Sequence, residues 1–161
     1  MARQIQAPKG SGIGFVVVQA VLLGILFFGP THLIADASIT PPNGLLLWLG
    51  YGIFILGTAI ALMAAFNLGK NLTPLPRPKE NAELIQGGLY GFVRHPIYFG
   101  VIVLSIGWGL TQQSPLVWLY AVIIALFFDI KSRKEEQWLV ERFSAYADYQ
   151  GRVRKLIPWF Y

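Results

Sequence analysis

No cysteine occurs in the 161 residues, which excludes disulfides and thiolate metal sites from any account of this chain. Charge is scarce as well: 13% of residues are Asp, Glu, Lys or Arg, about half the share of an ordinary soluble domain. So little charge cannot cover a water-facing surface, and the 55% hydrophobic content points to lipid as the solvent. Repeats and low-complexity tracts are missing. The glycines at 50, 52 and 57 follow no strand pattern, so they carry no nucleotide-binding signal. No small-residue cleavage site closes the first apolar run, which argues against a cleaved signal peptide.

What the chain has is four apolar stretches, at residues 13–35, 45–68, 96–112 and 115–130. A helix needs roughly 20 apolar residues to cross the hydrocarbon; the last two are near the lower limit. Their connection, Thr111 to Pro115, is short enough for a tight antiparallel hairpin.

The basic residues are distributed unevenly. Arg3 and Lys9 precede the first stretch; Lys70, Arg77, Lys79 and Arg94 lie between the second and third; the other seven follow the fourth. The connections at residues 36–44 and 111–115 contain no Lys or Arg. With four spans, all basic segments fall on one side, and the positive-inside rule places both termini in the cytoplasm. The expected fold is therefore an all-α integral membrane protein, one domain over residues 1–161. The net charge of +5 fits anionic lipid better than nucleic acid, since no interleaved basic and aromatic strand pattern is present.

Three segments carry more than topology. Prolines at 74, 76 and 78 bias the segment at residues 67–79 towards extended backbone. Pro96 suits the first turn of a helix, which sets Arg94 and His95 at the helix N-terminus, where unsatisfied N–H groups favour an anion. After residue 130 a charged helical segment bears Lys131, Glu135 and Glu136, with Lys131 and Glu135 four apart on one face. The short hairpin returns both clusters to one membrane depth. Basic and acidic residues near span ends are often only topology residues. Gly12, Gly14 and Gly24, and Gly50, Gly52 and Gly57, are expected to permit close helix packing. His32 reads as an interfacial polar residue, and the aromatic tail fits the membrane interface.

The string Gly88-Leu-Tyr-Gly-Phe-Val-Arg94-His95-Pro96-Ile-Tyr98-Phe-Gly100, followed by Glu135-Glu136-x-x-Leu139, resembles the isoprenylcysteine carboxyl methyltransferase family. That broad group takes in phospholipid methyltransferases and bacterial relatives. The tail from Tyr146-x-x-Tyr149 to Leu156-Ile-Pro158 is similar too, so the resemblance covers residues 67–161. It implies a membrane methyltransferase using S-adenosylmethionine in a cytoplasmic pocket between the loop after the second span and the C-terminal helix. The implied acceptor is lipophilic or small and hydrophobic, with a carboxylate, thiol or amine as nucleophile.

Carried over onto this chain, the implied cofactor contacts are Leu84, Ile85, Tyr90, Arg94, His95, Pro96, Ile97, Tyr98 and Glu135. Lys131 stands where the family places a substrate-orienting arginine, and with Glu136 it is expected to orient the acceptor. An ammonium is a compact charge and cannot grip a carboxylate through two parallel bonds. A prenylcysteine carboxylate is therefore one acceptor among several. The rival readings are a membrane reductase using a nicotinamide cofactor and a non-catalytic membrane scaffold.

Overall fold

A computed structural model describes residues 12–32, 43–75 and 81–161. Arg3, Lys9, Asp36, Arg77, Lys79 and the prolines at 76 and 78 lie outside the described residues. Among the described residues five α-helices follow in order: α1 (Ile13–Phe28), α2 (Gly44–Leu68), α3 (Pro96–Gln112), α4 (Pro115–Arg142) and α5 (Tyr146–Arg152). Single 3₁₀ turns occur at Gly69–Asn71 and Gly88–Gly91. No strand occurs among the described residues; the one extended pairing is an isolated parallel bridge between Val93 and Arg154.

Helices α2 and α4 are long and apolar enough to cross a membrane; α1 and α3 are apolar but shorter. α1 is shorter than its apolar stretch, because Gly29 leaves helical geometry and Pro30 cannot continue the ladder. α4 overruns its apolar stretch by three turns, to Arg142. Its 28 residues span about 42 Å, against roughly 30 Å of hydrocarbon. The part beyond Ile130 carries the charged cluster.

α2 and α3 are joined by backbone approach rather than by interlocking side chains. A Cβ on Gly57 would lie 2.3 Å from the Leu104 nitrogen, and one on Gly107 would lie 2.3 Å from that of Phe54. Gly50 against Thr111 and Gly100 against Ala61 repeat the pattern along the antiparallel pair. Small residues let helices meet where apolar burial gives no driving force, as in lipid. The expectation for Gly50 and Gly57 is met. For Gly14, Gly24 and Gly52 it is not, since a Cβ on any of them would meet nothing within 4 Å.

α1 lies against α4, and Leu26, Val117, Ile124 and Phe128 form the buried cluster. The Trp108 indole donates to the Leu26 carbonyl at 2.9 Å, tying α3 to the C-terminal end of α1. At the α3–α4 turn, Ser114 caps α4 by accepting from Leu116 and Val117 and donates to the Thr31 carbonyl. Large apolar side chains such as Val17, Val21, Leu56, Phe66, Leu119 and Leu126 point outwards and exposed. That is the reverse of a water-soluble bundle.

Candidate active site

The loop between α2 and α3 crosses the charged end of the bundle and meets the end of α4 and α5. The extended backbone expected from residue 67 begins only at Leu72: α2 runs to Leu68 and a 3₁₀ turn takes Gly69–Asn71, because a proline restricts only itself and the residue before it. Asn71 fixes the return by accepting from the Glu83 backbone at 3.1 Å. The chain then turns at Gly88, whose φ of 59° suits glycine, and runs through Arg94 and His95 into Pro96 at the start of α3. The tail after α5 pairs with this entry: the Arg94 N–H donates to the Arg154 carbonyl at 2.8 Å, and the His95 N–H to Lys155 at 3.1 Å. The N–H groups at Arg94 and His95 are thus already engaged, and first-turn Ile97 and Tyr98 keep the helix-terminal donor positions.

These segments enclose a cavity of about 390 Å³, within the range of small-molecule pockets. Apolar walls come from Leu68, Leu72, Leu84, Ile85, Ile97, Leu139 and Phe143; tyrosines 90, 98, 146 and 149 add aromatic faces. Glu83, Arg94, His95, Lys131 and Glu135 form its charged part. Eight of the nine expected cofactor residues line it; Pro96 is buried beneath as the first residue of α3. α5 therefore folds against the cavity.

His95 is clamped between two carboxylates. Its Nδ1 lies 3.5 Å from Glu135 Oε2, and its Nε2 lies 3.2 Å from Glu136 Oε1. Burial works against a charged imidazole, but hydrogen bonds and charge from Glu135 and Glu136 outweigh it and raise the His95 pKa. Tyr98 stacks on the imidazole with ring planes 2° apart and donates to Glu135.

Glu136 departs from the expectation of an acceptor-orienting carboxylate. It is buried behind the wall and is not a lining residue. Arg94 Nε donates to it at 2.6 Å and Gln150 at 3.0 Å. Burial would raise its pKa, but hydrogen bonds from His95 and Arg94 prevail and hold it at about 2. Arg94 is equally committed, donating also to the carbonyls of Gln150 and Val153. Both side chains brace α5 and the tail against the start of α3.

Lys131 does face the cavity. It is almost fully buried, donates to Gln19 at 2.7 Å and to the Pro74 carbonyl at 3.3 Å, and lies 3.9 Å from Glu135. Arg133 cannot stand in for an arginine at this place, because it is exposed and pairs with Asp129 and Tyr161. Gln19 was missed by motif reasoning. Its signal was available, since it is the one polar side chain within α1, and a polar residue inside an apolar span is a functional candidate by default. His32 is exposed and takes no part.

A family model described as phospholipid methyltransferase matches residues 45–146, which include the α2–α3 loop, His95, Lys131 and Glu135. The chain belongs to this family. Its match covers well over half of the chain.

Within the family, the chain is 31% identical over 115 residues to protein-S-isoprenylcysteine O-methyltransferase of Saccharomyces cerevisiae, covering 69% of this chain and 48% of that one. It is 36% identical over 93 residues to methanethiol S-methyltransferase 1 of Bradyrhizobium diazoefficiens, covering 57% of this chain and 30% of that one. A solved structure of the eukaryotic intramembrane Ras methyltransferase, isoprenylcysteine carboxyl methyltransferase, superposes with a TM-score of 0.67 at 27% identity. That likeness covers 91% of this chain and 52% of the neighbour. The chain thus spans about half the length of the isoprenylcysteine methyltransferase relatives it matches.

Proposed function

We propose that this chain is an S-adenosylmethionine-dependent methyltransferase of the membrane that acts on a lipophilic or small hydrophobic acceptor. The supporting observation is the meeting of both motif halves at one cavity, with His95 Nδ1 3.5 Å from Glu135 Oε2. In this reading α1 to α4 all span the bilayer, with both termini and the cavity on the cytoplasmic side. Residues 67–161 supply the cofactor-binding part of a single domain.

The donor set fits such a cofactor. A carboxylate suits the helix-terminal N–H groups of Ile97 and Tyr98, beside a His95 ring that Glu135 and Glu136 hold in place. Glu135 suits an ammonium or ribose hydroxyls, and the wall of Leu84, Ile85, Leu139 and tyrosines suits adenine. When bound, the cofactor supplies an already activated methyl on a sulfonium. The chain's own task is then to align an acceptor and exclude water. Lys131 is the residue placed to meet the acceptor, with Gln19 and the Pro74 carbonyl holding its ammonium in position. One compact cation suits a single-centred nucleophile such as a thiolate better than a bidentate carboxylate.

Calorimetry with folded protein in lipid nanodiscs tests the assignment. Heat of binding is expected for S-adenosylmethionine or its demethylated product, weakened at least tenfold by His95→Ala and by Glu135→Ala, about 1.4 kcal/mol each. No binding by the unmodified protein would refute it. Transfer of labelled methyl into extracted lipids and small hydrophobic thiols then identifies the acceptor.

A further inference from the structure

The last five residues form a turn that the proposed chemistry does not use. Phe160 and Tyr161 N–H both donate to the Ile157 carbonyl, and Leu156 and Ile157 N–H both donate to the Tyr161 carbonyl. Trp159 at its tip has φ of 61°, a left-handed conformation uncommon for a side chain of that size. The outcome is exposure: Trp159 is 83% exposed and Phe160 is 85% exposed. Burial in the protein therefore does not explain either aromatic.

The turn is also firmly placed. The Tyr161 hydroxyl accepts from Arg133 at 3.0 Å and Lys155 at 2.8 Å, and donates to Asp129 at 3.0 Å. Lys155 itself donates to Asp129 and lies over the Tyr161 ring. Asp129 and Arg133 bracket Ile130, the last exposed apolar residue of α4. The turn thus sits at the depth where the apolar face of α4 gives way to charge, continuous with the lipid-facing surface. Arg133, Lys134 and Arg154 are exposed around that level. Trp beside Lys and Arg at such a depth is the composition of a membrane interface, where the ring meets headgroups and basic residues attract anionic lipid.

We infer that the Ile157–Tyr161 turn is an interfacial anchor, inserting Trp159 and Phe160 among the lipid headgroups at the end of α4. The inference rests on the membrane placement of α4 proposed above. Because the tail just before the turn bonds the backbone of Arg94 and His95, the anchor ties the cavity to a fixed height on the bilayer.

The chain has no cysteine, so single-cysteine spin labels can be introduced cleanly. Labels at Trp159→Cys and, to spare the left-handed position, at Phe160→Cys are compared in nanodiscs with Leu126→Cys and Asp148→Cys. The discs are phosphatidylcholine with and without phosphatidylglycerol. The ratio of oxygen to nickel-chelate accessibility at 159 and 160 is expected to lie several-fold above that at 148 and below that at 126. Asp129→Ala, which removes the acceptor of Lys155, Arg133 and the Tyr161 hydroxyl, is expected to lower that ratio and increase label mobility. Values at 159 and 160 equal to that at 148, with 126 deep, would overturn the anchor and leave the patch to a protein partner. If 126 also matches 148, the membrane reading of α4 falls with it.

Discussion

Adjacent glutamates on α4 should fail in different ways when truncated. Glu136 accepts from Arg94 and Gln150, contacts His95 Nε2 at 3.2 Å and accepts from the Tyr146 hydroxyl at 3.5 Å, all behind the cavity. Glu136→Ala leaves a buried guanidinium edge and an imidazole nitrogen without their acceptor. Breaking a buried ion pair costs about 3–5 kcal/mol. The lower end applies, because Arg94 retains the Gln150 and Val153 carbonyls. A loss of about 3 kcal/mol corresponds to a fall of roughly 6–12 °C in melting temperature for a chain of this size. Glu135 instead lines the cavity, and its main partner Tyr98 remains stacked between His95 and Phe128. Glu135→Ala should therefore lower the melting temperature by less than about 4 °C while weakening cofactor binding at least tenfold. Thermal unfolding in nanodiscs, paired with calorimetry, reads both quantities on each variant. The reasoning is wrong if Glu136→Ala melts like the unmodified protein, or if Glu135→Ala is the more destabilised of the two.

Stability should also depend on pH at both ends of the range. The Glu136 carboxyl is depressed from 4.5 to about 2, so its contribution is present above pH 4.5 and lost as pH falls towards 2. His95 is raised from 6.5, so its contribution is full below pH 6.5 and lost as pH rises through the folded value. Melting temperature should thus be highest between pH 4.5 and 6.5, and Glu136→Gln should flatten the acid limb and move the alkaline fall to lower pH. Gly57→Leu and Gly107→Leu should abolish folded protein on size-exclusion chromatography, since each Cβ meets backbone at 2.3 Å. Gly52→Ala, with open space around its Cβ, should be neutral or stabilising by about 0.5–1 kcal/mol. Lys131→Met should raise the acceptor KM at least tenfold and leave cofactor affinity within about twofold, because the ammonium's hydrogen bonds go to Gln19 and Pro74 and its contact with Glu135, at 3.9 Å, is looser.

Much of the fold was legible because lipid imposes simple rules. α2 and α3 begin and end within a residue of the apolar stretches at 45–68 and 96–112, and Pro96 marks the start of α3 as its missing N–H requires. The apolar stretch stops at residue 130, and the charged helical segment read after it is a continuation of the same helix, which runs on for as long as its backbone bonds are made. Helix packing was half legible. All the spaced glycines of α1 and α2 have the same composition signal, yet only Gly50 and Gly57 lie on the face towards α3. Which face meets a partner is a property of the assembled pair, and Gly100 and Gly107 gained their meaning only there.

The candidate site divides along the same line. His95, Tyr98, Lys131 and Glu135 were legible from spacing, because a short hairpin must return both helix ends to one level. The roles within the cluster were not legible, because adjacent residues on a helix point about 100° apart. Glu135 faces the cavity and Glu136 faces the tail, so two identical side chains become a wall residue and a brace. The brace in turn explains why the tail belongs to the site at all. Arg94 and Glu136 bind α5 and Val153, and the Arg154 and Lys155 carbonyls take the N–H groups that open α3. The same two residues that a motif search reads as ligand contacts are, in this chain, what holds the C-terminal segment over the cavity. Severing that link at Glu136 should open the pocket without removing any group that lines it.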